Sequence, residues 1–259
     1  MASLDLGATS PVAGASGQPE QAEAEARVNL AAAYRLVDHF FSTTDGIYNH
    51  LSVRAPTDPD QFLIKQHALL YREVTASNLV KVNMTAELDE TSGVNRPGFV
   101  LHSAVLAARP DINCVVHMHG PIGIAMSAHA GGLKMMSQAA IRFYKRIGYH
   151  RFEGITEDAG ERDRIAAALG DNHVLFLRNH GVVVVGATVR DAFERTRDLM
   201  TACESQLTLE AATPNIIEVP AAICETMVIQ LEAHDAGRGR ADWPAWLRLV
   251  DAVSPGYRD

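Results

Sequence analysis

Two short stretches of this chain combine residue types and spacings able to support chemistry. Val115-Val116-His117-Met118-His119-Gly120 ends one apolar run, and Arg178-Asn179-His180-Gly181 ends another. Both runs read as buried strands. Residues i and i+2 of a strand point to one face, so His117 and His119 are placed side by side, with Val116 and Met118 on the opposite face. A third imidazole from the end of another strand, His180, would complete a three-histidine site. Neutral imidazole is the commonest protein ligand for zinc and suits iron as well. Three protein ligands with a position left open is the catalytic pattern, whereas structural zinc sites are closed by four. The spacing alone also fits a blander picture, in which the paired histidines form a local polar patch and His180 is a turn residue before Gly181.

The elements that must hold these histidines follow from the apolar pattern. Residues 1–24 are rich in Ala, Gly, Ser, Pro, Gln and Glu and read as a mobile tail, leaving one domain over residues 25–259. From Arg27, the residues Leu30, Tyr34, Val37, Phe40 and Phe41 recur at helical spacing. Leu51–Arg54, Phe62–Ile64 and Val80–Met84 read as short strands, and Phe99–Ala108 as a helix closed by Arg109-Pro110-Asp111. Asn113–His119 is the strand carrying the first two histidines. Helices are expected from Gly120 to Ser127, Ser137 to Arg146 and Glu157 to Leu169. The strands His173–Leu177 and Val182–Val185 flank Asn179-His180-Gly181. Val189–Leu209 is the longest helix, and Pro220–His234 and Trp243–Val253 follow it. This order suggests an α/β fold, a three-layer α/β/α sandwich around one mixed, largely antiparallel sheet.

Composition narrows the function classes. The chain has 259 residues, 47% of them hydrophobic and 21% charged, enough for a sizeable core. The formal net charge of −8, with no Lys/Arg cluster, argues against a nucleic-acid surface. No apolar run is long enough to cross a membrane. The N-terminus lacks a basic segment followed by an apolar one. The cysteines Cys114, Cys203 and Cys224 are odd in number and widely separated, so a reduced, cytoplasmic setting is expected.

Several motifs in the right order resemble the class II aldolase/adducin family, in its adducin-like bacterial branch. They are Arg109-Pro110-Asp111 before Asn113–Gly120, and Asn179-His180-Gly181 further on. Ile47–Arg54, Gly98–Val105 and Tyr144–Gly154 add to them. The likeness spans about residues 27–212. It implies the α/β/α fold, His117, His119 and His180 as ligands of a divalent metal, and a homotetramer with sites between subunits. Zinc is the first expectation for the metal, with Fe(II) or Mn as alternatives. The apolar content of helices 27–41 and 137–146 points to self-association as well.

The chain departs from the family at one informative place. The family's sugar-phosphate aldolases carry a catalytic Glu four residues before the histidine that matches His102, and here that position is Gly98. Arg96 and Pro97 stand where the phosphate-binding serines would be, and the early glycine-rich loop is altered to Asp45-Gly46-Ile47-Tyr48-Asn49-His50. Candidate replacements for the proton-transfer group are Tyr149, His150 and Tyr144. Candidate substrate-binding residues are Arg96, suited to a carboxylate, and His50. Each has an ordinary structural role available: interface packing for the tyrosines, a backbone-bonded turn for His50, a solvated loop charge for Arg96.

A divalent ion on three neutral imidazoles keeps its double charge. It can polarise a carbonyl or hydroxyl oxygen and stabilise an enediolate, which serves aldol cleavage, decarboxylation and epimerisation alike. The expected function is a metal-dependent lyase of aldolase or decarboxylase type, acting on a small, oxygenated, acidic, non-phosphorylated molecule. Two alternatives are a non-haem iron oxygenase on the same histidines and a non-catalytic, adducin-like interaction module.

Overall fold

In the computed structural model, described over residues 17–41, 46–154, 159–237 and 242–259, helices cover both faces of one seven-stranded sheet. The elements in chain order are α1 (Gln18–Phe41), β1 (His50–Arg54), β2 (Gln61–Lys65), β3 (Leu79–Asn83), α2 (Arg96–Ala108), β4 (Cys114–Met118), α3 (Pro121–Ala128) and α4 (Gln138–Ile141). They continue with β5 (Ile147–His150), α5 (Ala159–Leu169), β6 (Val174–Leu177), β7 (Gly181–Gly186), α6 (Val189–Ala212), α7 (Ala221–Gly237) and α8 (Asp242–Val253). The strand order is β3-β2-β1-β4-β7-β6-β5, and only β5 and β6 run parallel. The expected α/β sandwich with a mixed, largely antiparallel sheet is therefore the observed fold.

The central strands are buried on both faces, which explains why Val174–Leu177 and Val182–Val185 are apolar without alternation. One core lies between the sheet and α1, α6 and α8, and takes Leu51, Val116, Met118, Val182 and Val184. The other lies under α2 and α5, and takes Val115, Leu175, Val183 and Val185. Alternation along β4 thus directs His117, with Val115, toward the α2 side.

Two expectations are corrected. Helix α1 begins at Gln18, not near Arg27, so residues 18–24 belong to the helix rather than to a tail; residues 1–16 lie outside the described residues. Glu23 explains the earlier start: it is buried against Arg27 at 3.0 Å and Lys81 at 2.9 Å, and accepts from Thr57. The helix expected over 137–146 stops at Ile141. Lys145 takes a left-handed backbone, φ 57°, and the chain then enters β5, stabilised by its ladder with β6 rather than by local preference. Gly148 is required there, because a Cβ would lie 2.1 Å from the Ala168 carbonyl oxygen of α5. The apolar stripe of α1 is buried within the chain from Leu30 to Val37, and Phe40 at its end is exposed. Further exposed apolar side chains are Ile124, Phe152, Ile217 and Ile229.

Tyr34 fastens α1 to the sheet beside the histidines. Its buried hydroxyl accepts from Leu51 N at 2.8 Å and Lys65 N at 3.3 Å, and donates to the Leu51 carbonyl. Lys65 is buried too and gives its ammonium hydrogens to the carbonyls of Ile47, Gln66 and His67 at 2.8, 3.3 and 3.1 Å, holding the segment that leads into β1. Burial lowers its pKa to about 8. Removing the Tyr34 hydroxyl leaves strand groups unsatisfied, at a cost of about 1–3 kcal/mol. Tyr34→Phe should therefore lower the urea midpoint with an unchanged m-value; a midpoint equal to wild type would contradict this role.

Candidate metal centre

His117 and His119 are delivered by the end of β4, and His180 by the connection between β6 and β7. That connection is tight: Leu177 pairs with Gly181, leaving Arg178, Asn179 and His180 to make the turn. Asn179 takes the left-handed conformation, φ 59°, which asparagine tolerates better than most residues. The His180 N–H donates to the Leu177 carbonyl at 3.0 Å. Gly181 then brings β7 close to β4: a Cβ there would lie 2.4 Å from the Met118 carbonyl oxygen and 3.2 Å from the His119 ring. The His-Gly dipeptide is thus a packing requirement, with the glycine making room for the neighbouring histidine.

The three rings converge. His119 Nε2 is 2.8 Å from His117 Nε2 and 2.8 Å from His180 Nε2. Ring centroids are 4.6, 5.1 and 4.5 Å apart for the pairs 117–119, 117–180 and 119–180. His117 Nδ1 lies 3.0 Å from the Val182 carbonyl oxygen. A proton on Nδ1 donates there and leaves the Nε2 lone pair facing the other two rings, the orientation a metal ligand needs. Burial, then the neighbouring His119 and His180, holds the His117 pKa well below the ordinary value. The donor set therefore suits a divalent ion, which takes neutral imidazole. His117 is buried, while His119 and His180 are only partly so, leaving one side of the group accessible.

Asn49, just before β1, was not singled out by the sequence as a site residue. It is fully buried, and its Oδ1 accepts from the His119 N–H at 2.5 Å, fixing the chain where β4 ends. The only signal for it was a polar pair, Asn49-His50, at the head of an apolar strand. Ser52 and His102 form a second unforeseen pair, Oγ to Nδ1 at 2.6 Å, on the α2 side of the sheet.

The other candidates fall into two groups. His50 stands directly opposite His117 in the β1–β4 ladder and is buried. His150 ends β5, buried, with Nε2 3.6 Å from a Glu161 carboxylate oxygen, and it lines a narrow crevice together with His180 and Arg178. These two are brought to the histidines. Tyr149 is partly exposed and committed to packing: its ring stacks on Phe176, Arg178 lies 4.2 Å over it, and its hydroxyl accepts from the Leu133 N–H at 3.4 Å. Tyr144 follows α4 with Lys145 5.2 Å from its ring. Arg96 opens α2, exposed, its guanidinium 3.1 Å from Glu90. Nothing draws Tyr144 or Arg96 to the three imidazoles. His150, Glu153 and Glu161 also come within metal-binding distance of one another, but Arg151 and Arg164 already neutralise Glu153, at 2.6 Å each.

Two substitutions test the centre. His180→Ala should lose bound divalent metal on dialysis while the far-ultraviolet circular dichroism stays unchanged. Gly181→Ala keeps every ligand but forces β7 away from Met118, and should weaken metal binding by about tenfold or more. Stoichiometric metal in the first variant by elemental analysis, or wild-type affinity in the second, would contradict the assignment.

Known proteins share both the sequence and this architecture. The family described as the Class II Aldolase and Adducin N-terminal domain matches residues 28–207. A Caulobacter vibrioides protein provisionally named an aldolase class 2 protein is 38% identical over 252 residues, covering 96% of this chain and 98% of its own. Rat alpha-adducin is 42% identical over 213 residues, 79% of this chain but only 29% of adducin. The crystal structure of an aldolase II superfamily protein from Pseudomonas syringae superposes with a TM-score of 0.83 at 40% identity, covering 92% of this chain and 96% of that one. An L-fuculose 1-phosphate aldolase from Glaciozyma antarctica PI12 does so with a TM-score of 0.79 at 26% identity, over 95% and 97% of the two chains. The chain belongs to the class II aldolase and adducin family.

Proposed function

We propose that the protein is a metal-dependent lyase, of aldolase or decarboxylase type, acting on a small, oxygenated, acidic substrate without a phosphate. The observation that carries this reading is the convergence of three imidazole Nε2 atoms on one partly open point. His117, His119 and His180 would hold the ion, zinc in the first instance and Fe(II) or Mn as alternatives, and Asn49 keeps His119 in place. When bound, the ion supplies Lewis acidity toward a substrate oxygen. Membership of a family whose aldolases depend on divalent metals supports this part.

The chain's own residues supply the rest. Cleaving a carbon–carbon bond next to a carbonyl leaves an electron pair that must take up a proton. His150 is the preferred group for that transfer, because it lines the same crevice as His180. Tyr149 and Tyr144 rank behind it, the first held in packing and the second beside Lys145. His50 faces the substrate next to His117. Arg96 would receive a substrate carboxylate after leaving Glu90, an exposed pairing that costs little to break. Pro97 and Gly98 beside it offer no hydroxyl to a phosphate.

We place the working form as a homotetramer in the cytoplasm with a small-molecule substrate and no nucleic-acid or membrane partner. Consistent with this, no helix among the described residues is long and apolar enough to cross a membrane. A second reading has its own support: the similarity to alpha-adducin favours a non-catalytic interaction module, against which stand the three intact imidazoles. An iron-dependent oxygenase is the third.

Metal-loaded protein assayed by NMR should cleave or decarboxylate a hydroxy or keto acid and leave fuculose- and rhamnulose-type 1-phosphates largely untouched. Arg96→Ala should raise KM for the acid by about tenfold with kcat little changed, as expected for loss of a charge-assisted contact. Efficient cleavage of a sugar 1-phosphate would overturn the substrate assignment. Oxygen uptake with iron would select the oxygenase, and failure to bind any metal would select the interaction module.

A further inference from the structure

Beside the triad lies a second set of polar groups that the protein does not satisfy by itself. His50 faces His117 across the β1–β4 ladder, and directly opposed residues of an antiparallel pair project to the same face within a few ångströms. Both ring nitrogens of His50 are buried without a hydrogen-bond partner, as are Nδ2 of Asn49 and Nε2 of His102. The His50 and His102 rings are 6.2 Å apart, centroid to centroid, and Asn49 is the residue that holds the His119 backbone. Buried polar atoms nearly always find a partner, so four of them together beside the open histidines mark a place where something else donates and accepts.

Gly98 shows how the ring comes to stand there. It lies in the first turn of α2, whose cap Asn95 accepts from the Gly98 N–H at 2.9 Å. A Cβ at residue 98 would lie 3.0 Å from both Cε1 and Nδ1 of His50, and 3.3 Å from its Cγ. A Cβ at 98 already requires the ring to give by a few tenths of an ångström, so a side chain there crowds it. The bare glycine and the buried imidazole are thus one packing choice. Burial first, and then the basic neighbours His102, Lys65, His67 and His119, hold the His50 pKa well below the ordinary value, so its imidazole is neutral. A carboxylate at 98 would add a negative charge beside the triad; the glycine and the neutral imidazole add none.

We infer that His50, seated in the space a side chain at residue 98 would need, is the specificity-determining residue that hydrogen-bonds a small hydroxy acid held at the three histidines. This deepens the lyase reading and rests on its metal centre. The neighbouring amide of Asn49 and imidazole of His102, each with an unpartnered buried nitrogen, bring no negative charge to the same place. An acid bearing a hydroxyl would meet these nitrogens while its carboxylate faced the divalent ion that the triad would hold; a neutral diol lacks that charge.

The test uses full-length protein loaded with cobalt(II), whose visible absorption reports ligands entering the site, titrated with glycolate and, in parallel, with ethylene glycol. Wild type should saturate with glycolate and bind the diol at least about tenfold more weakly. His50→Ala should keep its cobalt and weaken glycolate by about tenfold, the scale of one hydrogen bond to a charged group. His50→Gln, which restores a donor, should recover most of that loss. Gly98→Glu should lower the melting temperature by displacing the ring. The double variant His50→Ala/Gly98→Glu should regain that stability without regaining glycolate binding, because the new carboxylate repels the ligand. Glycolate binding by cobalt-loaded His50→Ala equal to wild type would overturn the inference while leaving the metal centre intact. So would a Gly98→Glu protein as stable as wild type. A wild-type protein that takes up no cobalt would remove the metal centre and the inference with it.

Discussion

The close approach of β7 to β4 at Gly181 is the constraint on which the functional end of the molecule depends. The β4–β7 ladder aligns His117 with Val183 and Met118 with Val182, so the strand that follows the His180 turn runs directly beside the strand bearing the other two histidines. A side chain at 181 would collide with the Met118 carbonyl, and the ring of His119 occupies the adjoining space. Without a glycine there, His180 could not reach the pair. The same ladder supplies the Val182 carbonyl that sets which nitrogen of His117 faces inward. Register, glycine and tautomer are therefore aspects of one piece of strand packing.

The remaining elements hold that packing from outside. Strand β1 lies on the other side of β4, and through Asn49 and His50 it contributes a backbone clamp and a side chain next to the triad. Its position is held in turn by Tyr34 of α1 and by the buried ammonium of Lys65. Arg178 does comparable work for the β6–β7 turn, donating to the carbonyls of Ser127 and His129 at 3.3 and 2.7 Å while its guanidinium lies over Tyr149. Polar anchors buried this way leave little freedom at the site, because releasing any one of them exposes unsatisfied groups.

Much of this was legible in the sequence, for identifiable reasons. Strands buried on both faces announce themselves as unbroken valine runs, and His117 and His119 at i and i+2 require a shared face. The third histidine was attached to them by resemblance, and the fold brings its ring to 2.8 Å from that of His119. What stayed hidden depends on tertiary partners. Strand β5 is four residues long, contains a glycine and exists because β6 lies beside it, so the sequence assigned no element to residues 147–150. The first turns of α1 carry few apolar residues and are fixed by Glu23 reaching Arg27 and Lys81. Asn49 works through its amide and one backbone N–H, a role with no spacing signature. Arg96 was singled out by its place in the family's altered phosphate loop and Tyr144 by residue type, and neither says that one faces Glu90 and the other sits beside Lys145.

The account stands or falls on whether one ion sits among the three imidazoles. Crystals of protein purified without chelator, measured on both sides of the zinc, iron and manganese absorption edges, would decide it. The account predicts a single strong anomalous peak per chain, about 2.0–2.1 Å from Nε2 of His117, His119 and His180 if the ion is zinc. An empty triad in protein supplied with all three metals, or a peak held by other residues, would contradict it.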